Sequence, residues 1–270
     1  MSKLIAVDID GTLINSKGEI TERTKNALIE AQRQGHKVVC SSGRSPKGVL
    51  GYAKELEMDK YESYISNYNG SVVTDMKTME TPINHKLSIK DTREILQFSE
   101  TIDIDYFIYY DDKIYVNSMD TYKLEEVTMK NEDMEVVVIE DLSSSIDFEP
   151  NNILFAQDPT KIKEPADRIR EKFGNEFSTM YSEAYFFELM PKDVTKGYAL
   201  LEIASYLGIS RENIYAFGDS YNDLSMIELA GNGVAMGNAV SELKDAADYI
   251  TLSNEEDGIG VFVEKHILNK

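Results

Sequence analysis

The chain has 270 residues, with 48 acidic against 28 basic side chains and a formal net charge of −20. That balance excludes the basic patches of a nucleic-acid binder and attraction to an anionic membrane surface, and it means that an anionic ligand would need local positive groups and a metal. The single cysteine, Cys40, excludes an intrachain disulfide and fits a reducing cytoplasm, while no apolar run is long enough to span a bilayer.

Leu4 to Val7 is apolar throughout, the pattern of a parallel strand buried on both faces. It ends in Asp8 and Asp10, which strand alternation places on one side. Two carboxylates that close repel unless a cation or a shared proton separates them, and a hard cation such as Mg2+ suits oxygen ligands. Gly11 allows a sharp turn and Thr12 offers a hydroxyl. Thr21 caps a predicted helix to Gln34, stopped by Gly35. A short strand, Lys37 to Ser41, runs into Ser41-Ser42-Gly43-Arg44, and Ser45-Pro46 opens another helix. Hydroxyls and backbone N–H groups in such a turn can bind a phosphoryl oxygen. Tyr64-Ile65-Ser66 and Ser71-Val72-Val73 flank Asn67-Tyr68-Asn69-Gly70, a hairpin signal. A role for Asn67 or Asn69 near a ligand is secondary to that turn.

After Thr81-Pro82 the pattern changes to helices mixed with alternating strands, which predicts a separate α+β domain with an antiparallel sheet. Helices are expected over 88–100 and 161–173, and strands over 104–110, 114–116, 135–139, 153–156 and 177–181. Tyr106, Phe107, Tyr109 and Tyr110 read as core. Asp111-Asp112, Glu125-Glu126 and Glu132-Asp133 read as solvated surface. Beyond Tyr185–Met190, Lys196 opens a helix running to Leu207, an end where the helix dipole disfavours a cation unless an anion lies close by. Another apolar strand, Asn213 to Phe217, again ends in acids, Asp219 and Asp223. A strand and turn over 231–239, a short helix from Val240 to Ala246, a strand at 249–251 and a helix from about Gly258 to Ile267 complete the chain. None of His36, His85 and His266 lies in a strand-end loop of this kind, and neither a Gly-x4-Gly-Lys-Ser/Thr loop nor a Cys/His cluster is present.

Asp8-Ile9-Asp10-Gly11-Thr12-Leu13 resembles the first motif of the haloacid dehalogenase superfamily, DxDGT[LV]. Ser42 before Gly43-Arg44 resembles its second motif, Lys196-Gly197 its third, and Gly218-Asp219-Ser220-Tyr221-Asn222-Asp223 its fourth. Gly233 to Ala239 and Glu256-Asp257-Gly258 resemble the tail of the Cof-type branch (subfamily IIB). One departure is Asp193, at a position where a small residue such as Gly is frequent. The resemblance implies an α/β fold: a Rossmann-like parallel-sheet core (1–81 and 188–270) with an inserted α+β, C2B-type cap (82–187) that selects substrate. It implies a Mg2+-dependent phosphatase acting on small phosphorylated metabolites, sugar phosphates first, through an aspartyl-phosphate. Pyridoxal phosphate or flavin mononucleotide as substrate, and a phosphomutase, are the alternatives. Asp8 would be the nucleophile and Asp10 the general acid/base. An Asp8 oxygen, the Asp10 main-chain carbonyl and Asp219 would hold Mg2+, with Asp223 orienting its water or ligating directly. Lys196, Ser42, Asn222 and the N–H groups of Ile9 and Gly43 would hold the phosphoryl oxygens, and Lys196 would keep Asp8 ionised. Such a protein would be cytoplasmic, and a monomer or homodimer.

Overall fold

A computed structural model describes residues 2–131 and 134–268, so the expected surface position of Glu132-Asp133 lies outside the described residues. The chain divides into two compact units, residues 1–83 with 195–270 and residues 84–194.

The first unit opens with β1 (Leu4–Asp8), α1 (Glu22–Arg33), β2 (Lys37–Ser41), α2 (Pro46–Glu55), β3 (Tyr64–Asn67) and β4 (Val72–Asp75). β5 (Ile83–Asn84) straddles the division. Thr21 precedes α1 as expected but makes no capping hydrogen bond, whereas the Ser45 hydroxyl accepts from Gly48 N before α2.

The second unit contains α3 (Ile89–Ser99), β6 (Asp105–Tyr110), β7 (Lys113–Val116), α4 (Leu124–Lys130), β8 (Glu135–Val138), α5 (Leu142–Ser145), β9 (Ile153–Ala156), α6 (Lys163–Phe173), β10 (Phe177–Glu183) and β11 (Phe186–Pro191). Its six-stranded sheet has the order β10-β11-β9-β6-β7-β8. The expected antiparallel pairing holds except at β7 and β8, which run parallel because α4 lies between them as a crossover. β11 pairs with β9 and β10, so the return boundary expected at 187/188 cuts a strand of this sheet. Its hydrophobic side joins Tyr106, Ile108, Phe155 and Phe187 to Ile95, Ile169 and Phe173. Tyr106, Phe107 and Tyr109 are buried as expected, whereas Tyr110 is exposed and stacks on Phe148 at a centroid distance of 4.2 Å. Asp111, Asp112 and Glu125 are exposed. Glu126 departs from that pattern: it is half-buried and accepts the Tyr185 hydroxyl at 2.7 Å.

The chain returns to the first unit with α7 (Lys196–Leu207), β12 (Ile214–Gly218), α8 (Leu224–Leu229), β13 (Asn232–Ala235), α9 (Ser241–Ala246), β14 (Tyr249–Ile250) and α10 (Gly258–His266). The sheet order is β14-β13-β12-β1-β2-β3-β4-β5. β1 is central and pairs in parallel with both β2 and β12. From β1 the chain winds one way through β2 and β3, then the other way through β12, β13 and β14, which makes the β1/β12 gap a topological switch point. In open α/β sheets ligands bind at the carboxyl ends of strands at such a point. β1 is buried along its whole length and β12 at every residue but Tyr215, in keeping with their apolar sequences. No described helix is long and apolar enough to cross a membrane.

Candidate active site

Asp8 closes β1 and Asp219 follows β12, the neighbouring strand, so the switch point brings together two acids that lie 211 positions apart in the chain. One carboxylate oxygen from each of Asp8, Asp219 and Asp223 lies within 4.8 Å of the others. The Lys196 ammonium donates to Asp8 Oδ1 at 2.5 Å and to Asp223 Oδ1 at 2.6 Å. Its side chain is fully buried, and these two carboxylates are the anions that offset its place at a helix start. Asp223 Oδ2 accepts the N–H groups of Asp219 at 2.9 Å and Ser220 at 3.0 Å. Asp223 is thereby anchored through both oxygens, which suits an orienting role better than direct ligation. Thr12 donates its hydroxyl to Asp219 Oδ1 at 2.6 Å.

Burial pushes the Asp8 carboxyl well above the usual range, and Asp223 pushes it further; Lys196 opposes them without prevailing. Lys196, expected to keep Asp8 ionised, does favour the ionised form, but its single charge is shared with Asp223. Burial and then Asp223 raise Asp219 to about 7. Burial disfavours charge on Lys196, but Asp223 and Asp8 together outweigh it and hold the ammonium protonated. Lys196 lies between buried Asp8 and Asp223 with half-buried Asp219 close by, and the all-oxygen donor set of the three carboxylates fits a hard divalent ion.

Gly11 makes the approach of β1's loop to Asp219 possible. Its φ is +75°, and a Cβ there would stand 2.5 Å from Asp219 Oδ2. Asn238 donates to Gly11 O at 2.7 Å, which ties the turn to the loop after β13. The Asp10 carboxylate lies apart from the cluster. Arg44 grips it with Nε at 2.9 Å and Nη2 at 2.6 Å, a bidentate pair that leaves the Asp10 side chain 44% exposed. Arg44 was visible in the sequence only as part of a turn, and nothing local pairs it with Asp10.

Ser42 is buried after β2, and its hydroxyl accepts Arg44 N at 3.1 Å. Ile9 is buried beside Asp8, Gly43 follows Ser42, and Asn222 lies in the turn between β12 and α8. Asn69, a secondary candidate in the sequence, is fully buried and accepts Asn222 Nδ2 at 3.1 Å. Asp193, the departure from the third motif, has φ +61°, a left-handed conformation open to Gly and tolerated by Asp.

A family model described as haloacid dehalogenase-like hydrolase matches residues 5–263. A haloacid dehalogenase-like hydrolase from Bacteroides thetaiotaomicron is 33% identical; its structure superposes with a TM-score of 0.87 over 98% of this chain and 99% of that one. The HAD subclass IIB sugar phosphatase BT4131 is 25% identical, with a TM-score of 0.81 over 98% of each chain. From Bacillus subtilis (strain 168), the 5-amino-6-(5-phospho-D-ribitylamino)uracil phosphatase YitU is 27% identical over 97% of each chain.

Proposed function

Because the chain belongs to the haloacid dehalogenase-like hydrolases and is a phosphatase, we propose that it hydrolyses small sugar phosphates with Mg2+ through an aspartyl-phosphate. The observation that carries this reading is the buried Lys196 bridge between Asp8 and Asp223 at the carboxyl end of the central strand. It holds one carboxylate for attack and supplies a positive charge beside it.

Asp8 attacks phosphorus in line, and the ester oxygen leaves with a proton from Asp10. Asp10 then takes a proton from the water that cleaves the acyl-phosphate. Arg44 pairs with both Asp10 oxygens and would release one of them when Asp10 carries the proton. Ser42, Asn222, Lys196 and the N–H groups of Ile9 and Gly43 hold the phosphoryl oxygens. Asp8, Asp219 and the Asp10 main-chain carbonyl would hold Mg2+, with Asp223 orienting its ligands; the ion would supply positive charge to the phosphoryl oxygens. The 84–194 unit selects the leaving group.

Similarity to BT4131 supports the sugar-phosphate reading, and similarity to YitU supports a second class, a phosphorylated ribityl chain. Both are phosphate esters of polyols. The test is phosphate release across sugar phosphates and ribityl phosphates, with Mg2+ and with EDTA, beside an Asp8→Asn control. Metal-dependent release from polyol phosphates is expected. Release that survives EDTA, or an active Asp8→Asn variant, overturns the mechanism.

A further inference from the structure

The hairpin tip between β3 and β4 does more than turn the chain. Asn69 sits there with φ +52° and no solvent exposure. Its backbone N–H donates to Ser42 O at 3.0 Å. Its carboxamide accepts Asn222 Nδ2 at 3.1 Å. The same carboxamide lies against Gly43, where an added Cβ would stand 3.2 Å from Asn69 Nδ2. The next residue, Gly70, has φ +107°, and a Cβ there would stand 2.5 Å from Thr195 O, the residue that caps the Lys196 helix. Three segments assigned above to the phosphoryl oxygens therefore meet at one turn: Ser42-Gly43, Asn222 and the start of α7.

We infer that Asn69 is a positioning residue of the phosphoryl site, setting Asn222 and the Ser42-Gly43 turn in one register. This rests on the phosphatase reading above and deepens it. One amide hydrogen of Asn222 is committed to Asn69, which fixes the plane of that carboxamide and directs the second hydrogen. A hairpin needs only a residue that accepts positive φ here, and Gly would serve better. The buried side chain is surplus to the turn, and its carboxamide meets Asn222 and Gly43.

The test uses the full chain with Mg2+ and inorganic phosphate as a competitive inhibitor of p-nitrophenyl phosphate hydrolysis. Asn69→Gly keeps the left-handed turn and removes the carboxamide. Its melting midpoint should stay near that of the unaltered protein, while the phosphate inhibition constant rises about 3- to 10-fold, the worth of one or two hydrogen bonds. In an Asn222→Ala background the same substitution should cost markedly less, because the group it positions is gone. An unchanged phosphate constant in folded Asn69→Gly overturns the inference, and so does an equal penalty in both backgrounds. If Asn69→Gly does not fold, Asn69→Asp takes its place, since Asp accepts the same φ and sets an anion beside the phosphoryl site. A phosphate constant unchanged there overturns the inference equally. Failure of the unaltered protein to hydrolyse p-nitrophenyl phosphate or bind phosphate overturns instead the phosphatase reading beneath it.

Discussion

Replacing Asp8 with Asn should abolish turnover and, in the absence of metal, make the protein more stable. The carboxylate at position 8 has two repulsive neighbours within 4.8 Å, Asp219 and Asp223. At an effective dielectric constant of about 20, each repulsion is worth about 3.5 kcal/mol or more. Lys196 at 2.5 Å attracts it by about 7 kcal/mol on the same scale. These terms nearly cancel, so the decision falls to desolvation, several kcal/mol for a buried carboxylate. Proton uptake limits the loss: from the ordinary value of 3.8 to pH 7, at 1.36 kcal/mol per unit, the penalty cannot exceed about 4 kcal/mol. An amide still accepts weakly from Lys196, and we expect a net gain of about 1–3 kcal/mol for Asp8→Asn, or a few degrees of melting midpoint per kcal/mol. The sign of the pH dependence follows from linkage. A carboxyl raised in the folded state destabilises that state above its ordinary value and not below it. The advantage of Asn should therefore be full near neutral pH and vanish near pH 4. Excess Mg2+ should narrow it, because a cation that binds the carboxylates stabilises the unaltered protein more. The assay is thermal denaturation of both proteins in EDTA and in Mg2+, at pH 4 and pH 7, beside hydrolysis of p-nitrophenyl phosphate. A variant that melts lower than the unaltered protein in EDTA at pH 7 would refute this account of the cluster. So would a gain that survives acidification.

Gly11→Ala forces a Cβ to 2.5 Å from Asp219 Oδ2 at φ +75°; we expect about 1–3 kcal/mol of lost stability and roughly a hundredfold lower kcat/KM, read by denaturation and steady-state kinetics. Arg44→Ala frees the Asp10 carboxylate, so turnover of a sugar phosphate, whose alkoxide needs a proton, should fall about 10- to 100-fold. The first-turnover burst with p-nitrophenyl phosphate should keep its rate, because that leaving group needs no acid; equal loss on both substrates would contradict the assignment. His36 accepts the Lys3 N–H through Nδ1 at 3.1 Å, and burial, aided by Lys3, lowers its pKa. A group depressed on folding contributes stability above its ordinary value, 6.5, that is lost as pH falls through the folded value. His36→Asn keeps an acceptor that does not titrate, so the loss of stability just below pH 6.5 should flatten in denaturation curves of that variant.

How far the site could be read from the chain depended on where each group sits in its element. Asp8, Ser42 and Asp219 lie where an apolar run stops, and a run that stops at acids or hydroxyls marks a strand's functional end. β1, β2, β3 and β12 are largely buried, so their limits were legible to within a residue or so. Lys196 was visible because a cation at a helix start conflicts with the dipole. The parallel pairing of β7 with β8 was not legible, since α4, which makes the crossover, has little apolar periodicity over its seven residues. The distant partners of Arg44 and Asn69 were hidden for another reason. Each of these two residues has an adequate local explanation, a turn Arg and a hairpin Asn, and their partners Asp10 and Asn222 lie 34 and 153 positions away. Local chemistry that already accounts for a residue conceals any distant duty.

The charge count at the switch point favours a bound cation. With all three carboxylates ionised, they and one ammonium would leave a net charge of −2 at the proposed phosphoryl site. Lys196 is already engaged by Asp8 and Asp223, so it cannot by itself offset an incoming phosphate ester. Arg44 is committed to Asp10. A chain of net charge −20 adds a repulsive background that favours cations and disfavours anions. Without a metal, protons are the remaining remedy, and they go to Asp219 and Asp8, whose affinities burial has raised. A protonated Asp8 could not serve as the proposed nucleophile. On the mechanism proposed above, a cation that relieves this charge would also restore the attacking carboxylate and lower the barrier to anion entry. Metal removal should then cost affinity for phosphate and reactivity of Asp8 together, by way of one electrostatic deficit.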